Sequence, residues 1–164
     1  NGDRFVRLLD KEEIYLNFAE AANEAGSDPL TALPGMSFSA YDVFSKVRQR
    51  GGATSLLYTN YLVRTGQMTK EIFRELVKNE RRIEFAFRGF RYWDLRRWLE
   101  PLSVINEPVK GISIVRDISF GVELFEYNEI IVEMRNYLEN TYYGPLPYDE
   151  VYKSEALVQN YGWE

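Results

Sequence analysis

The segment from Asn79 to Trp98 constrains the fold of this chain more than any other. It reads NERRIEFAFRGFRYWDLRRW, in which nine residues are charged and eight are aromatic or large aliphatic. Charged side chains at this density are normally solvated, whereas aromatic side chains at this density are normally buried. A segment that carries both must pair its charges inside a core or present them to a partner.

Composition excludes several functions. The 164 residues are 45% hydrophobic, so we expect residues 1–164 to form a single domain with a substantial core. The chain has no cysteine and no histidine, which excludes a disulfide, a Cys/His zinc site and a Ser-His triad within it. The net charge of −5 disfavours nucleic acid as a partner. The chain begins with Asn1 rather than Met and carries no signal peptide, so we expect a piece of a longer protein.

Two helices are predicted in the first third of the chain. The first runs over Asp10–Ala25, with Asp10 at the N-cap and Glu13 completing a capping-box variant. The second begins after the N-cap Ser39 and ends near Arg50, before two glycines. The loop between them predicts an antiparallel αα-hairpin.

Residues 51–68 are expected to be irregular. A third helix is predicted from Thr69 toward Phe87, interrupted at Gly89 and resumed over Arg91–Trp98, which makes it one long kinked helix.

The last third is expected to hold little regular structure. Short apolar runs after Gly111 favour two or three small strands. The tail, Tyr142–Glu164, contains prolines and tyrosines and predicts an extended strap with a short helix near Glu150.

Two carboxylates fall on the apolar side of the third helix. At 100° per residue, Glu80 and Glu84 lie within the same arc as Phe73, Ile83 and Phe87. Buried carboxylates require partners, and the arginines nearby in sequence can bind them with two hydrogen bonds each. We therefore predict a structural ion-pair network that contains Glu80, Glu84, Arg81, Arg91, Asp94 and Arg97.

The same residues leave other functions to be weighed. Glu80 and Glu84 have a spacing that a glycosidase could use, but both point from one helix, whereas a sugar needs its two carboxylates on opposite sides. Six arginines with interleaved aromatics resemble a nucleic-acid surface, which the acidic total disfavours. Arginine, tyrosine and tryptophan are also enriched at protein interfaces.

Four stretches resemble the SusD/RagB-like outer-membrane nutrient-binding lipoproteins. The block Asn79–Trp98 resembles the family element ER-x-x-E-hydrophobic-x-F-E-G-x-R-aromatic-x-D-L-R-R-W, with Arg88 replacing the usual Glu before the glycine. The other three, in the family's order, are EIYLNFAEAANEA (Glu13–Ala25), AYDVFSKVRQRG (Ala40–Gly51) and YGPLPYDEVYKSEALVQNYGW (Tyr143–Trp163).

The resemblance implies a non-enzymatic protein with no cofactor. Family members are lipid-anchored on the outer face of the outer membrane, cap a SusC-like TonB-dependent transporter and capture oligosaccharides for import. Their fold is mostly α-helical, with TPR-like antiparallel helix pairs. This chain would be the C-terminal portion, with the anchor and most of the ligand platform outside it.

Candidates for ligand contact are therefore few. Aromatic rings pack well on sugar faces, and Tyr58 and Tyr61 in the predicted loop are the candidates that we name. The alternative function is a stand-alone TPR-like helical adaptor that binds protein partners.

Overall fold

The structure is a computed structural model that describes residues 9–52, 56–119 and 122–164. The chain divides into two compact units, Asn1–Arg91 and Tyr92–Glu164. Within the described ranges there are seven α-helices and one two-stranded antiparallel hairpin. The predicted mostly α class with a small β element is thereby confirmed, whereas a single domain over residues 1–164 stays a prediction.

The elements follow one another in this order: α1 (Lys11–Ala25), α2 (Ala40–Gln49), α3 (Leu57–Arg64), α4 (Lys70–Glu84), α5 (Phe90–Arg97), α6 (Leu102–Ile105), β1 (Val109–Ser119), β2 (Val122–Glu133), a 3-10 helix (Glu139–Tyr142) and α7 (Tyr148–Lys153).

Helices α1 and α2 begin where the sequence predicts. Ser39 and Asp42 form a capping box, in which each backbone N–H donates to the other residue's side chain. Asp10 is the N-cap of α1, but its carboxylate makes no capping hydrogen bond. It pairs instead with Arg88, at 2.5 Å between Oδ2 and Nη1, so the predicted capping box with Glu13 is wrong.

Helix α1 packs antiparallel to both α2 and α4. Arg50, at the end of α2, forms ion pairs with Glu12 in the first turn of α1 and with Glu84 at the end of α4. At the opposite end of α1, Glu24 accepts hydrogen bonds from Arg74 in the first half of α4, at 2.6 and 2.7 Å. The ends of the three helices are therefore matched by charge.

The core of the first unit lies between these helices. Phe44 and Phe73 are fully buried and meet edge to face, with ring centroids 5.2 Å apart, which is a favourable arrangement for aromatic pairs. The buried cluster comprises Leu16, Ala19, Ala22, Ala40, Phe44, Val47, Leu62, Met68, Phe73, Val77 and Phe85.

The region predicted to be a long kinked helix is two helices. α4 ends at Glu84, and both Phe87 and Gly89 have positive φ, at 62° and 79°. Left-handed backbone cannot continue an α-helix, so the 100° spacing does not extend to Phe87, which is fully exposed. Ile83 is also 56% exposed, because the packed side of α4 is centred on Phe73, Val77, Glu80 and Arg81. The expectation that Ile83 and Phe87 face the core is wrong.

Residues 56–68 are more ordered than the sequence suggests. They contain α3, which buries Thr59 and Leu62. Thr59 donates a hydrogen bond to the carbonyl of Leu56. A short helix with only two buried positions has little apolar periodicity, which explains why the pattern was missed.

The second unit contains the hairpin and the strap. The strands are eleven and twelve residues long, with Ile114 opposite Tyr127, so the predicted small strands are two long ones. The predicted short helix near Glu150 is α7. Beyond α7 the chain folds back onto the segment before that helix. There the Gln159 side chain accepts a hydrogen bond from the N–H of Leu146 and donates one to its carbonyl, at 2.7 and 3.0 Å.

Truncation of the central aromatic residue tests this core. We expect Phe44→Ala to lower the free energy of unfolding by about 3–5 kcal/mol, because the side chain is fully buried and leaves a cavity. Urea denaturation of the 164-residue chain measures the change. Leu57→Ala is the control: this side chain is 65% exposed, and its loss should change stability by less than about 0.5 kcal/mol.

Candidate functional site

A buried ion pair joins α2 and α4. Glu80 is only 7% exposed, and its Oε2 lies 2.5 Å from Nη1 of Arg48. Val47, the neighbour of Arg48, belongs to the apolar core. A carboxylate at this depth is stable only when paired, so this contact holds the two helices in register.

A second guanidinium connects three helices. Arg50 pairs with Glu84 on α4 and Glu12 on α1. The hydrogen bond to Glu84 raises the pKa of Arg50, so it remains cationic at any relevant pH. One side chain thereby ties together the ends of α1, α2 and α4.

Arg81 faces α1 and is almost completely buried. Its Nη1 donates to Oδ1 of Asn17 at 2.6 Å, and its Nε lies 3.9 Å from Oε2 of Glu20. The guanidinium also lies 5.2 Å from the ring centroid of Phe85, close enough for a cation–π contribution.

We call this group of residues the α4 clasp. It consists of Glu80, Arg81 and Glu84 of α4 with Arg48, Arg50, Glu12, Asn17 and Glu20 of the neighbouring helices. A cavity of about 330 Å³ lies beside it, lined by Arg48, Arg50, Glu80 and Glu84 among others. Guanidinium groups already occupy both carboxylates, so the clasp is built to hold helices together.

The other predicted network residues lie outside the clasp. Asp94 is buried and pairs with Arg97 three residues on, at 3.0 Å. Arg91 is partly buried on α5. Arg88 pairs with Asp10, and its guanidinium lies 5.3 and 5.2 Å from the ring centroids of Phe85 and Phe90. One connected network of all six predicted residues stays a prediction.

Aromatic rings are exposed to solvent at several places among the described residues, and one of these places is α3. Tyr58 and Tyr61 are 60% and 47% exposed. They are three residues apart on a helix, which places them on the same face. Both named ligand candidates are thus accessible side by side.

Another aromatic surface is a groove in the second unit, formed by the strap together with residues that precede it. It has a volume of about 540 Å³ and is lined by Pro101, Leu102, Glu139, Asn140, Tyr142, Tyr143 and Tyr161. The hydroxyl group of Tyr142 donates a hydrogen bond to the carbonyl of Glu100. The Trp163 indole donates to the carbonyls of Asn140 and Tyr143, at 2.9 and 3.0 Å. This groove was not predicted from the sequence, although the density of tyrosines in the tail was a signal.

Comparison with known proteins identifies the family. Residues 12–163 match the SusD family. The chain belongs to the SusD family. The resemblance stated from the four sequence stretches is confirmed.

A solved member has a similar fold. The crystal structure of a SusD-like protein from Bacteroides fragilis matches with a TM-score of 0.62 and 32% sequence identity, over 92% of this chain and 24% of that protein. This SusD-family chain therefore spans about a quarter of the length of that relative. The search of curated proteins found no match to this chain. None of the helices in the part of the chain that the structure describes has the length and apolarity to cross a membrane.

The family stretches contain the clasp residues that sequence spacing missed. Arg48 and Arg50 lie in AYDVFSKVRQRG, and Asn17 and Glu20 lie in EIYLNFAEAANEA. Only arginines near Glu80 along the chain were predicted as its partners. These stretches occur together in the family, and this co-occurrence was the signal that could have indicated a contact between their residues and Glu80.

Removal of the Arg48 guanidinium tests the clasp. We expect Arg48→Met to reduce the free energy of unfolding by about 3 kcal/mol, because Glu80 remains buried without its charge partner. Arg74→Met is the matched control, since it breaks an ion pair with Glu24 whose carboxylate side chain is 44% exposed. That loss should be below about 1 kcal/mol. Equal losses in urea titrations of the two variants would contradict a structural role for the buried pair.

The contribution of the exposed Arg74–Glu24 ion pair to stability should depend on pH. The hydrogen bond from Arg74 lowers the pKa of Glu24 below its ordinary value of 4.5. A lowered folded-state pKa contributes stability above the unfolded-state pKa, and this contribution is lost as the pH falls through the folded-state value. The difference in stability between the wild type and Arg74→Met should therefore shrink between about pH 7 and pH 3. Thermal unfolding across that range measures it, and a constant difference would contradict the assignment.

Proposed function

We propose that this chain is the C-terminal scaffold of a non-catalytic, cell-surface protein that captures oligosaccharides. The family match over residues 12–163 carries the proposal. The captured ligand would pass to a SusC-like TonB-dependent transporter in the outer membrane. The protein would be held at the outer face of that membrane by a lipid anchor outside this chain.

The α4 clasp supports a scaffold role. Its carboxylates are occupied by arginines of neighbouring helices, so they serve packing and not the acid and base steps of glycoside hydrolysis. A rigid helical support is what a binding platform needs to keep its aromatic contacts in place. The matched quarter of the solved relative leaves room for most of that platform outside this chain.

The exposed tyrosines supply contact chemistry. A sugar presents C–H groups on its ring faces and hydroxyl groups at its rim, so it can stack on a phenol ring while its hydroxyls bond to polar groups nearby. Tyr58 and Tyr61 offer two adjacent rings on α3 without rearrangement. We therefore infer that this face of α3 contributes to ligand contact.

A binding experiment with the complete gene product tests this function. Isothermal titration against a panel of oligosaccharides should identify a ligand. The double variant Tyr58→Ala and Tyr61→Ala should then weaken binding by about 5- to 150-fold, since each stacking contact contributes about 0.5–1.5 kcal/mol.

Tyr152→Ala is the matched control. This tyrosine is also exposed, at 82%, but it lies on α7 and not on the α3 face that we propose as the ligand contact, so its loss should leave affinity unchanged. Absence of binding across the panel would contradict oligosaccharide capture, and binding of protein partners instead would favour a TPR-like adaptor. An equal loss in the control and the double variant would contradict the assignment of the α3 tyrosines.

A further inference from the structure

The hairpin carries an apolar face that faces water. The register places Ile114 opposite Tyr127, and alternate residues on each strand share that side of the sheet. The six large apolar residues on this side, which we call the hairpin face, are Ile112, Ile114, Ile118, Phe125, Tyr127 and Ile131.

All six side chains are accessible. Their exposed fractions range from 49% to 68%. The sheet has only two strands, so both of its outer edges are unpaired within the described residues. An isolated hairpin of two strands is at best marginally stable in water, and a contiguous apolar patch of this kind marks an interaction surface. The hairpin therefore needs a covering partner.

The two sides of the hairpin differ in their apolar content and in net charge. On the hairpin face, the four charged side chains form two ion pairs, Lys110 with Glu129, at 2.8 Å, and Arg116 with Glu123. The opposite side has a smaller set of exposed apolar side chains, Val115, Leu124 and Ile130, and it also carries the acidic Asp117 and Glu126. An apolar covering surface therefore fits the hairpin face, which has six large apolar side chains and no net charge, better than it fits the acidic opposite side.

The comparison with the solved SusD-like protein favours a covalently linked cover. About three-quarters of that single polypeptide lies outside the matched region. A segment of the same polypeptide acts at high effective concentration, so a permanently buried apolar surface is well suited to it.

We propose that the hairpin face is an intramolecular interface, covered by the part of a SusD-like polypeptide that lies outside these 164 residues. The inference rests on the proposal that this chain belongs to a longer binding protein. It does not depend on which ligand that protein takes.

Hydrogen exchange of the complete gene product tests the interface. Backbone amides in residues 109–119 and 122–133 should exchange at least 100-fold more slowly than in an unstructured peptide, because a covered hairpin opens rarely. Exchange within tenfold of the unstructured rate would overturn the proposal. It would be overturned equally by a gene product with no sequence beyond this chain.

Paired substitutions identify the covered side. Ile114→Asn alters the hairpin face, and it should accelerate exchange of the hairpin amides by at least tenfold in the complete protein. Val115→Asn is the matched control, because its side chain lies on the opposite side, across from Glu126, and is 49% exposed. Equal acceleration by both variants would overturn the assignment of the face.

Two further readouts separate the alternatives. If the hairpin of the 164-residue chain alone becomes protected as its concentration rises, with a dimer in sedimentation, a second copy is the cover and the proposal fails. A complete protein that protects the hairpin but binds no oligosaccharide would contradict the proposed function and leave this interface standing. A complete protein that binds an oligosaccharide but leaves the hairpin amides unprotected would contradict the interface and leave the proposed function standing.

Discussion

The pairing of a buried carboxylate with an arginine from another helix governs the first unit. The buried Glu80 carboxylate needs the Arg48 guanidinium as its charge partner, so this ion pair fixes the alignment of α2 against α4. Arg50 repeats the constraint at the helix ends, where it meets Glu12 and Glu84. Apolar packing between Phe44 and Phe73 supplies stability, and the charges specify which helix positions meet.

The second unit follows a different rule. Its irregular segments are held by side chains that bond to main-chain groups: Asn106, for example, donates to the carbonyl of Tyr137 and accepts from its N–H. Its hairpin leaves large apolar side chains in water. A region with ordered polar contacts and an uncovered apolar surface is typical of a part whose neighbours are supplied by a larger protein.

Local signals in the sequence predicted the elements better than the contacts. The capping residues Ser39 and Asp42 act within one turn, so the start of α2 could be predicted from them alone. The end of α4 was misplaced because the turn depends on positive φ at Phe87, which no local preference of phenylalanine indicates. The pairing of Glu80 and Glu84 with arginines of α2 was not predicted, because contacts between helices depend on tertiary packing, which helical spacing does not encode.

The fold-back of the strap has an evolutionary consequence. The amide of Gln159 binds the N–H and the carbonyl of Leu146, as a neighbouring strand would. The contact uses only the main chain at position 146, so any residue except proline can stand there without breaking it. Position 159 has no such freedom, since a glutamate could accept but not donate. Among relatives, the residue at position 146 should therefore vary widely, whereas glutamine should be retained at position 159.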